Sequence, residues 1–254
     1  MSAFTLKGIL IRRMEYGDHD YILTFLTDER GKITVIAKNA KKSVRRFGGI
    51  LELFSHVSLA LTENRNKNGI PVLMEADLEH PFDHIRSDIF STSYASYWVE
   101  IIQLWVEEQV NQEPLYHLLL YVLAALDRDR RAASQLSLLF QMKFLEIAGL
   151  SPSLQECASC KISFEAIQDI RLPFDIPRGA VVCPRCLTRT ESTQMLSKGT
   201  AKLLLWLQNN DLKTAERVRY SPAAISEGLQ FLETFISYYL GKEPRSLNFL
   251  RKIR

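Results

Sequence analysis

The chain has 254 residues, of which 46% are hydrophobic and 24% are charged, and its formal net charge at pH 7 is +3. This composition is typical of a globular protein with a sizeable core, and it excludes a disordered or fibrous chain. So small a net charge also excludes a general polycation, so any binding to a polyanion must come from local clusters of cations.

Residues 1–80 have the pattern of β-strands. The segments FTLKGILIRR, DYILTFLT, KITVIAK, ELFSHVSLALTE and IPVLMEADLE are rich in β-branched and aromatic residues, and turn-forming residues separate them. Five short strands in about eighty residues predict a small barrel or sandwich, and a barrel of the OB type has this strand number and size. An SH3-like barrel is the alternative that the same pattern allows.

Helical periodicity begins near Ile85. From there to Trp105 apolar residues recur at intervals of three and four, which predicts one long amphipathic helix. Further helices are predicted over residues 114–127 and 132–148 and in the segment GTAKLLLWLQ. Another is predicted in SPAAISEGLQFLETFISYYLG, which has a capping serine, a proline at its start and a glycine at its end.

The predicted fold class is α+β with more than one domain. An OB-type β-barrel at 1–80 is followed by an α-helical domain at 81–254. A four-cysteine, zinc-finger-like loop at 151–192 is inserted into the helical domain.

All four cysteines occur in two C-x-x-C pairs, CASC (Cys157 and Cys160) and CPRC (Cys183 and Cys186), separated by 22 residues. Two such pairs can complete a tetrahedral thiolate shell around one structural Zn²⁺. The alternatives are a site without metal and a redox dithiol, although a redox pair usually opens a helix in a thioredoxin-like unit. Metal would stabilise KISFEAIQDIRLPFDIPRGAVV, which is predicted to be irregular.

The segment AKNAKKSVRRFGG, residues 37–49, contains five cations, two adjacent glycines and no acidic residue. Cations spaced along a loop of a small barrel can follow the phosphates of a nucleic acid. The alternative is an ordinary solvated loop between strands. The predicted DNA-binding residues are Arg12, Arg13, Arg30, Lys32, Lys38, Lys41, Lys42, Arg45 and Arg46.

Aromatic residues near this segment are candidates for stacking on bases. Tyr16 and Phe47 adjoin turn residues and are the preferred candidates, whereas Phe25 lies among aliphatic residues and is predicted to be core.

The sequence contains no Walker-type loop, G-x-S-x-G, H-E-x-x-H or EF-hand motif. Glu79, His80, Asp83 and His84 are close in sequence, but Pro81 separates the histidines, and we interpret the group as a domain junction. We therefore expect a binding protein and not an enzyme. Lys7 interrupts the only apolar stretch near the N-terminus, so we expect a cytoplasmic protein without membrane segments.

The run KGILIRRMEYGDHDYILTFLTDERGKITVIAKNAKK, followed by RRFGGILELFS, resembles the N-terminal module of the RecO recombination-mediator family. PFDHIRSDIFSTSYASYWVE, AGLSPSLQECASC and LGKEPRSLNFL extend the resemblance over nearly the whole chain. It implies an OB fold, a helical domain with a zinc-finger-like insertion, binding of single- and double-stranded DNA, and strand annealing. It also implies help in loading RecA onto strands coated by single-strand-binding protein, with RecR and the C-terminal tail of that protein as partners.

Basic residues of the helical domain are candidates for the rim of a partner groove: Lys202, Lys213, Arg217 and Arg219. The alternative function is a zinc-ribbon adaptor that acts through protein contacts without binding DNA directly.

Overall fold

The computed structural model describes residues 3–63, 69–187, 193–218 and 220–254, with the backbone alone at Arg45. The chain divides into two compact units. The first contains Met1–Arg130 and Ser246–Arg254, and the second contains Arg131–Arg245. The first unit thus holds strands together with helices, and the predicted domain boundary at residue 80 stays a prediction.

Five strands of the first unit form a closed barrel in the order β1-β2-β3-β5-β4. Their bounds are β1 (Ala3–Tyr16), β2 (Asp20–Thr27), β3 (Gly31–Ala37), β4 (His56–Thr62) and β5 (Val72–His80). Neighbouring strands are antiparallel except for β3 and β5, which pair in parallel. The barrel confirms the predicted fold class and is compatible with the OB type.

Side-chain alternation fills the barrel. In β3 buried and partly buried residues alternate, so Ile33, Val35 and Ala37 face the interior. Leu23 and Phe25 of β2 are fully buried in the same cluster, which confirms Phe25 as core.

The segment between β3 and β4 closes one end of the barrel. It contains the short helix α1 (Val44–Phe47), and Ala40, Phe47 and Leu51 are buried in the barrel core. The fourth strand was predicted to begin at residue 52 but begins at His56. The reason is Phe54, which is buried with a φ of 72° and donates its N–H to Leu10 at 2.8 Å outside any regular ladder.

Helices follow the barrel in both units. Their bounds are α2 (Asp83–Ser87), α3 (Ile89–Trp105), α4 (Glu113–Arg128), α5 (Ala133–Ile147), α6 (Lys198–Asn209), α7 (Leu212–Arg217), α8 (Pro222–Leu240) and α9 (Arg245–Ile253). The prediction of one helix from Ile85 to Trp105 is wrong, because Asp88 is extended and caps α3. Its carboxylate accepts from the N–H of Ser91 at 2.9 Å.

The second unit contains a small antiparallel sheet, ordered β7-β6-β8. Its strands are β6 (Arg171–Asp175), β7 (Ala180–Val181) and β8 (Thr193–Ser197). The segment after the first cysteine pair is therefore not irregular as predicted. Phe174 of β6 is buried, and its ring lies edge-on against Phe231 of α8, with 4.8 Å between ring centroids.

The ends of α8 agree with the prediction. The hydroxyl of Ser221 accepts from the N–H of Ala224 at 3.2 Å, Pro222 occupies the first turn, and Gly241 ends the helix with a φ of 67°. Among the described residues, no helix combines the length and apolar character that a membrane span requires.

Candidate nucleic-acid interface and metal centre

The two cysteine pairs come together in the second unit. The Sγ atoms of Cys157, Cys160, Cys183 and Cys186 all lie within 4.8 Å of one another, and those of Cys160 and Cys183 are 3.7 Å apart. Cys157 and Cys183 are buried, Cys160 is exposed and Cys186 is partly exposed. This cluster can hold a metal ion with four sulfur ligands.

Backbone hydrogen bonds shape both pairs. The N–H of Lys161 donates to the carbonyl of Cys157 at 3.0 Å, and that of Cys186 donates to the carbonyl of Cys183 at 2.9 Å, which makes each pair a tight turn. The N–H of Cys183 also donates to Sγ of Cys157 at 3.2 Å. Each pair thus directs two sulfur atoms towards the same point.

The thiols of the cluster differ in proton affinity. Burial acts to raise the pKa of Cys157, but hydrogen bonds from backbone N–H groups, including those of Cys160 and Cys183, outweigh it and lower the pKa to about 6. Hydrogen bonding to Cys183 and Cys160 raises the pKa of Cys186 to about 12. The backbone N–H groups around Cys157 therefore favour its thiolate form.

The structure contains a second group of possible metal-ligand atoms, and the sequence did not predict this combination of residues. Asp83 and His84 approach Asp127 of α4, with all three ligand atoms within 4.8 Å of one another. Because Asp127 is remote in sequence, no spacing signal could reveal it. Asp83 and His84 are exposed, and exposed acidic groups of this kind commonly occur without a metal.

The basic segment after β3 is fixed against the β1–β2 turn. The N–H of Lys41 donates to the carbonyl of His19 at 3.0 Å, and the N–H of Asn39 donates to the carboxylate of Asp20 at 2.8 Å. Because apolar residues of the same segment are buried in the barrel, this loop is an anchored part of the fold.

Several predicted cations meet at this end of the barrel. Nζ of Lys42 lies 2.9 Å from Nε2 of His19, and Arg46 donates to the carbonyl of exposed Lys38 at 3.0 Å. Lys41 reaches the carbonyl of Gly17 at 3.3 Å. The side chain of Arg45 lies outside the described part of the structure, and only its place in α1 is given.

Arg12 and Arg13 lie on opposite faces of β1. Arg13 is paired with Leu23, a barrel-core residue, whereas Arg12 is paired with Thr24, and both arginines are exposed. Arg13 donates to the carbonyl of Leu51 at 2.9 Å, so it belongs with the basic loop. The two adjacent arginines therefore do not share a face.

Arg30 and Lys32 are separated from the other cations. They lie at the β2–β3 turn, at the far end of the eight-residue strand β2, roughly 24 Å away for an extended chain. The guanidinium of Arg30 lies 3.9 Å from the ring centroid of Phe4, and Lys32 donates to the carbonyl of Gln103 in α3 at 3.1 Å. The structure thus does not bring these two residues together with the loop.

Carboxylates of the barrel pair with two of the cations. Lys41 contacts Glu15 at 2.8 Å, and Arg13 contacts Glu52 at 2.8 Å. The hydrogen bond from Lys41 lowers the pKa of the Glu15 carboxyl. Both acids were overlooked in the sequence, because Glu15 belongs to β1 and Glu52 follows the basic run.

The two stacking candidates differ in exposure. Tyr16, at the end of β1, is 54% exposed, whereas Phe47 is only 4% exposed and belongs to the barrel core. The prediction of Phe47 as a stacking residue is therefore wrong, because the residue plugs the barrel. Tyr16 remains available to a base.

The outer face of β2 and β3, which OB folds commonly use for oligonucleotides, is partly covered. Thr34 donates to the carboxylate of Glu108 at 3.0 Å, and the N–H of Gln109 donates to the carbonyl of Lys32 at 2.9 Å. At Gly31 a Cβ atom would lie 1.8 Å from the carbonyl oxygen of Val110, so only glycine fits there. The segment after α3 thus covers this face at Gly31, Lys32 and Thr34.

The wall of the barrel formed by β5 is acidic. Glu75, Asp77 and Glu79 are all exposed on this strand. The barrel therefore carries positive charge at the end closed by the basic loop and negative charge on β5.

Comparison with known proteins agrees with this architecture. The sequence models described as Recombination protein O N terminal and Recombination protein O C terminal match residues 1–82 and 86–248. The chain is 44% identical to the DNA repair protein RecO of Desulfatibacillum aliphaticivorans, over 100% of this chain and 98% of the relative. It is 42% identical to the RecO protein of Desulfosudis oleivorans, over 100% and 99%. The chain therefore belongs to the RecO family.

Proposed function

We propose that this protein is a recombination mediator in DNA repair that binds single- and double-stranded DNA without catalysing a chemical step. The relatives named above are called DNA repair proteins. The observation that carries the proposal is the convergence of Arg13, Lys38, Lys41, Lys42 and Arg46 at one end of the barrel. Arg45 joins this set by its place in α1.

Strand annealing follows from charge neutralisation. Lysine and arginine side chains neutralise backbone phosphates and release condensed counterions, which gives affinity with little sequence preference. Because the base edges are left accessible, two neutralised strands are free to pair. Exposed Tyr16 beside the loop supplies a ring on which one unpaired base stacks.

The metal of the cysteine cluster is proposed to be one structural Zn²⁺. In a tetrahedral site with Zn–S bonds of about 2.3 Å, neighbouring sulfur atoms lie about 3.8 Å apart. The 3.7 Å between Cys160 and Cys183 supports this fit. Four protein ligands leave no open coordination position, so such an ion would stabilise the fold and not activate water.

The proposed partners follow from the family. They are RecR, the C-terminal tail of single-strand-binding protein and, indirectly, RecA during its loading, in a cytoplasmic protein associated with the nucleoid. Lys202, Lys213 and Arg217 are exposed in the second unit and are the proposed rim for an acidic tail. Arg219, the fourth candidate, lies outside the described residues.

One observation favours a second candidate function, an adaptor that acts through protein contacts. Arg13 and Lys41 are already paired with carboxylates, which reduces the positive charge offered to DNA. Titration of a fluorescent single-stranded oligonucleotide at several salt concentrations separates the two functions. If about four to six phosphates are contacted, log affinity falls with log salt at a slope of roughly −3 to −4.

The cluster itself is tested by charge reversal. We expect simultaneous substitution of Lys41, Lys42, Arg45 and Arg46 by Glu to abolish oligonucleotide binding without unfolding the protein, since the described side chains of Lys41, Lys42 and Arg46 do not belong to the barrel core. The control reverses four cations of the second unit, with the same change in net charge: Lys202, Lys213, Arg217 and Lys242. Equal binding by both folded variants would contradict the placement of the interface.

A further inference from the structure

A small cavity lies under the basic loop at the closed end of the barrel. Its volume is about 170 Å³, and its walls include Arg13, Tyr21, Lys41, Ser43 and the two glycines Gly48 and Gly49. Strands β1 and β2 provide one side, and the loop provides the other. The cavity therefore lies between the barrel wall and the basic loop.

Two cations flank one aromatic ring in this cavity. The guanidinium carbon of Arg13 lies 5.5 Å and the ammonium of Lys41 lies 5.7 Å from the ring centroid of Tyr21. The ring and the backbone contacts to Leu51 and Gly17 hold both cations in place. Two fixed cations that face the same small space form a suitable site for an anion.

Carboxylates of the protein itself pair with both of these cations. Glu52 lines the cavity and contacts Arg13 at 2.8 Å, while Glu15 contacts Lys41 at 2.8 Å. The Glu15 side chain is 77% exposed, whereas that of Lys41 is only 20% exposed. The carboxylate is therefore free to leave, while the cation stays where it is.

We propose that this cavity receives one phosphate of a nucleic-acid strand, and that Glu15 and Glu52 act as displaceable anions on Lys41 and Arg13 when no strand is bound. The inference rests on the proposed function, and it adds that two carboxylates of the protein regulate the binding of the strand. A carboxylate and a phosphate compete for the same donors, and exposed ion pairs are weak enough to exchange. A strand that is also held by Lys42 and Arg46 displaces both carboxylates, whereas isolated anions do not compete effectively.

The test is the affinity of the full-length protein for an oligothymidine strand, measured by fluorescence anisotropy for the wild type, E15Q and E52Q. Each substitution keeps the size of the side chain and removes the competing charge. We expect affinity to rise about two- to fivefold for each, the range that exposed ion pairs span. The matched control is E75Q, which makes the same change in net charge on β5.

Coupling to the cation provides the second measurement. If Glu52 competes for Arg13, E52Q raises the affinity for the strand in the wild-type background but not in the R13Q background. A double-mutant cycle measures this difference. Thermal unfolding of each variant verifies that it is folded. A gain for E15Q and E52Q no larger than that for E75Q, or a gain that persists in R13Q, overturns the proposal.

Strands with different 5′ ends show whether the bound phosphate is an internal phosphodiester or a terminal phosphate. A gain on strands with either a 5′-hydroxyl or a 5′-phosphate assigns the cavity to an internal phosphodiester, and a gain only with the 5′-phosphate assigns it to a strand end. If the wild type shows no salt-dependent binding, the proposed function itself fails. If the wild type binds and the charge-reversed loop does not, but E15Q and E52Q bind as the wild type does, only the inference about the cavity fails.

Discussion

The barrel of the first unit and the cysteine segment of the second unit differ in what holds their candidate sites in place. In the barrel, a closed set of strands and a buried apolar cluster support the loop, while the cations lie outside that cluster. In the second unit, Cys157 and Cys183 are both candidate ligands and buried residues of the fold. The cations of the barrel therefore depend on a core to which they do not belong. The candidate metal ligands of the second unit are themselves part of the buried structure that positions them.

This difference predicts how each region responds to change. Surface cations on a barrel can be exchanged with little effect on stability, because surface substitutions usually change it by less than about 0.5 kcal/mol. Substitution of a metal ligand removes the function and the folding energy together. The following experiments test this contrast, beginning with the largest expected effect.

The largest effect is expected from replacing Cys183 and Cys186 by Ser. Structural Zn²⁺ contributes on the order of 10 kcal/mol to the folding of small zinc domains, so we expect loss of the metal and loosening of the surrounding segment. Metal analysis should find one zinc per wild-type chain and none in the variant. Hydrogen exchange should accelerate around β6 and β7 and stay slow in β1–β3.

Two results would contradict this account. If the purified wild-type protein contained no zinc, the cysteine cluster would not be a structural zinc site. Equally fast exchange in the barrel strands would show that the barrel depends on the cysteine segment.

A smaller loss of stability, in the barrel and not in the cysteine segment, is expected from Phe25→Ala. The side chain is fully buried in the barrel, and removing such a ring typically costs about 3–5 kcal/mol. We expect a lower midpoint for unfolding of the barrel in urea, with zinc content unchanged. Loss of zinc from the folded variant would show that the two regions are not independent.

The smallest effect is expected from acidification and should arise in the first unit. Burial lowers the pKa of His56 from its ordinary value of 6.5, Nε2 lies 2.7 Å from the hydroxyl of Tyr116, and Nδ1 has no hydrogen-bond partner in the described part of the chain. The unfolded state therefore binds more protons below pH 6.5. The stability due to neutral His56 is complete above that pH and is lost as the pH falls from 6.5 to the lower folded pKa.

Urea unfolding at a series of pH values measures this effect. His56→Gln removes the titrating group, so the difference between variant and wild type isolates its contribution from any acid release of metal. A wild-type pH dependence that persists unchanged in the variant would assign the effect to other groups.

Much of the fold could be predicted from local patterns. The β-branched and aromatic composition, bounded by turn residues, located β2 and β3, and the capping serine and terminal glycine located the two ends of α8. The elements that were missed depend on distant partners. Phe174 of β6 packs against α8, and β4 begins late because buried Phe54 adopts a positive φ that interrupts the extended chain.

The candidate sites divide in the same way. The spacing of the cysteines identified the metal cluster, since each pair needs only a tight turn. The run of cations predicted the basic loop, but it did not predict which cations lie close to that loop in space. Strand register places Arg13 at the cavity and Arg12 on the other face, and the β2–β3 turn carries Arg30 away from both.

The amino-acid order by itself determined the family, the sequence of strands followed by helices, the four candidate metal ligands and a concentration of positive charge after the third strand. These properties are local, because they depend on residue type and short spacing. The tertiary structure decided which cations face one cavity, which aromatic residue stays exposed and which carboxylates pair with those cations. Those properties depend on strand pairing and burial, which bring together side chains from distant parts of the chain, such as Arg13 with Glu52 and Lys41 with Glu15.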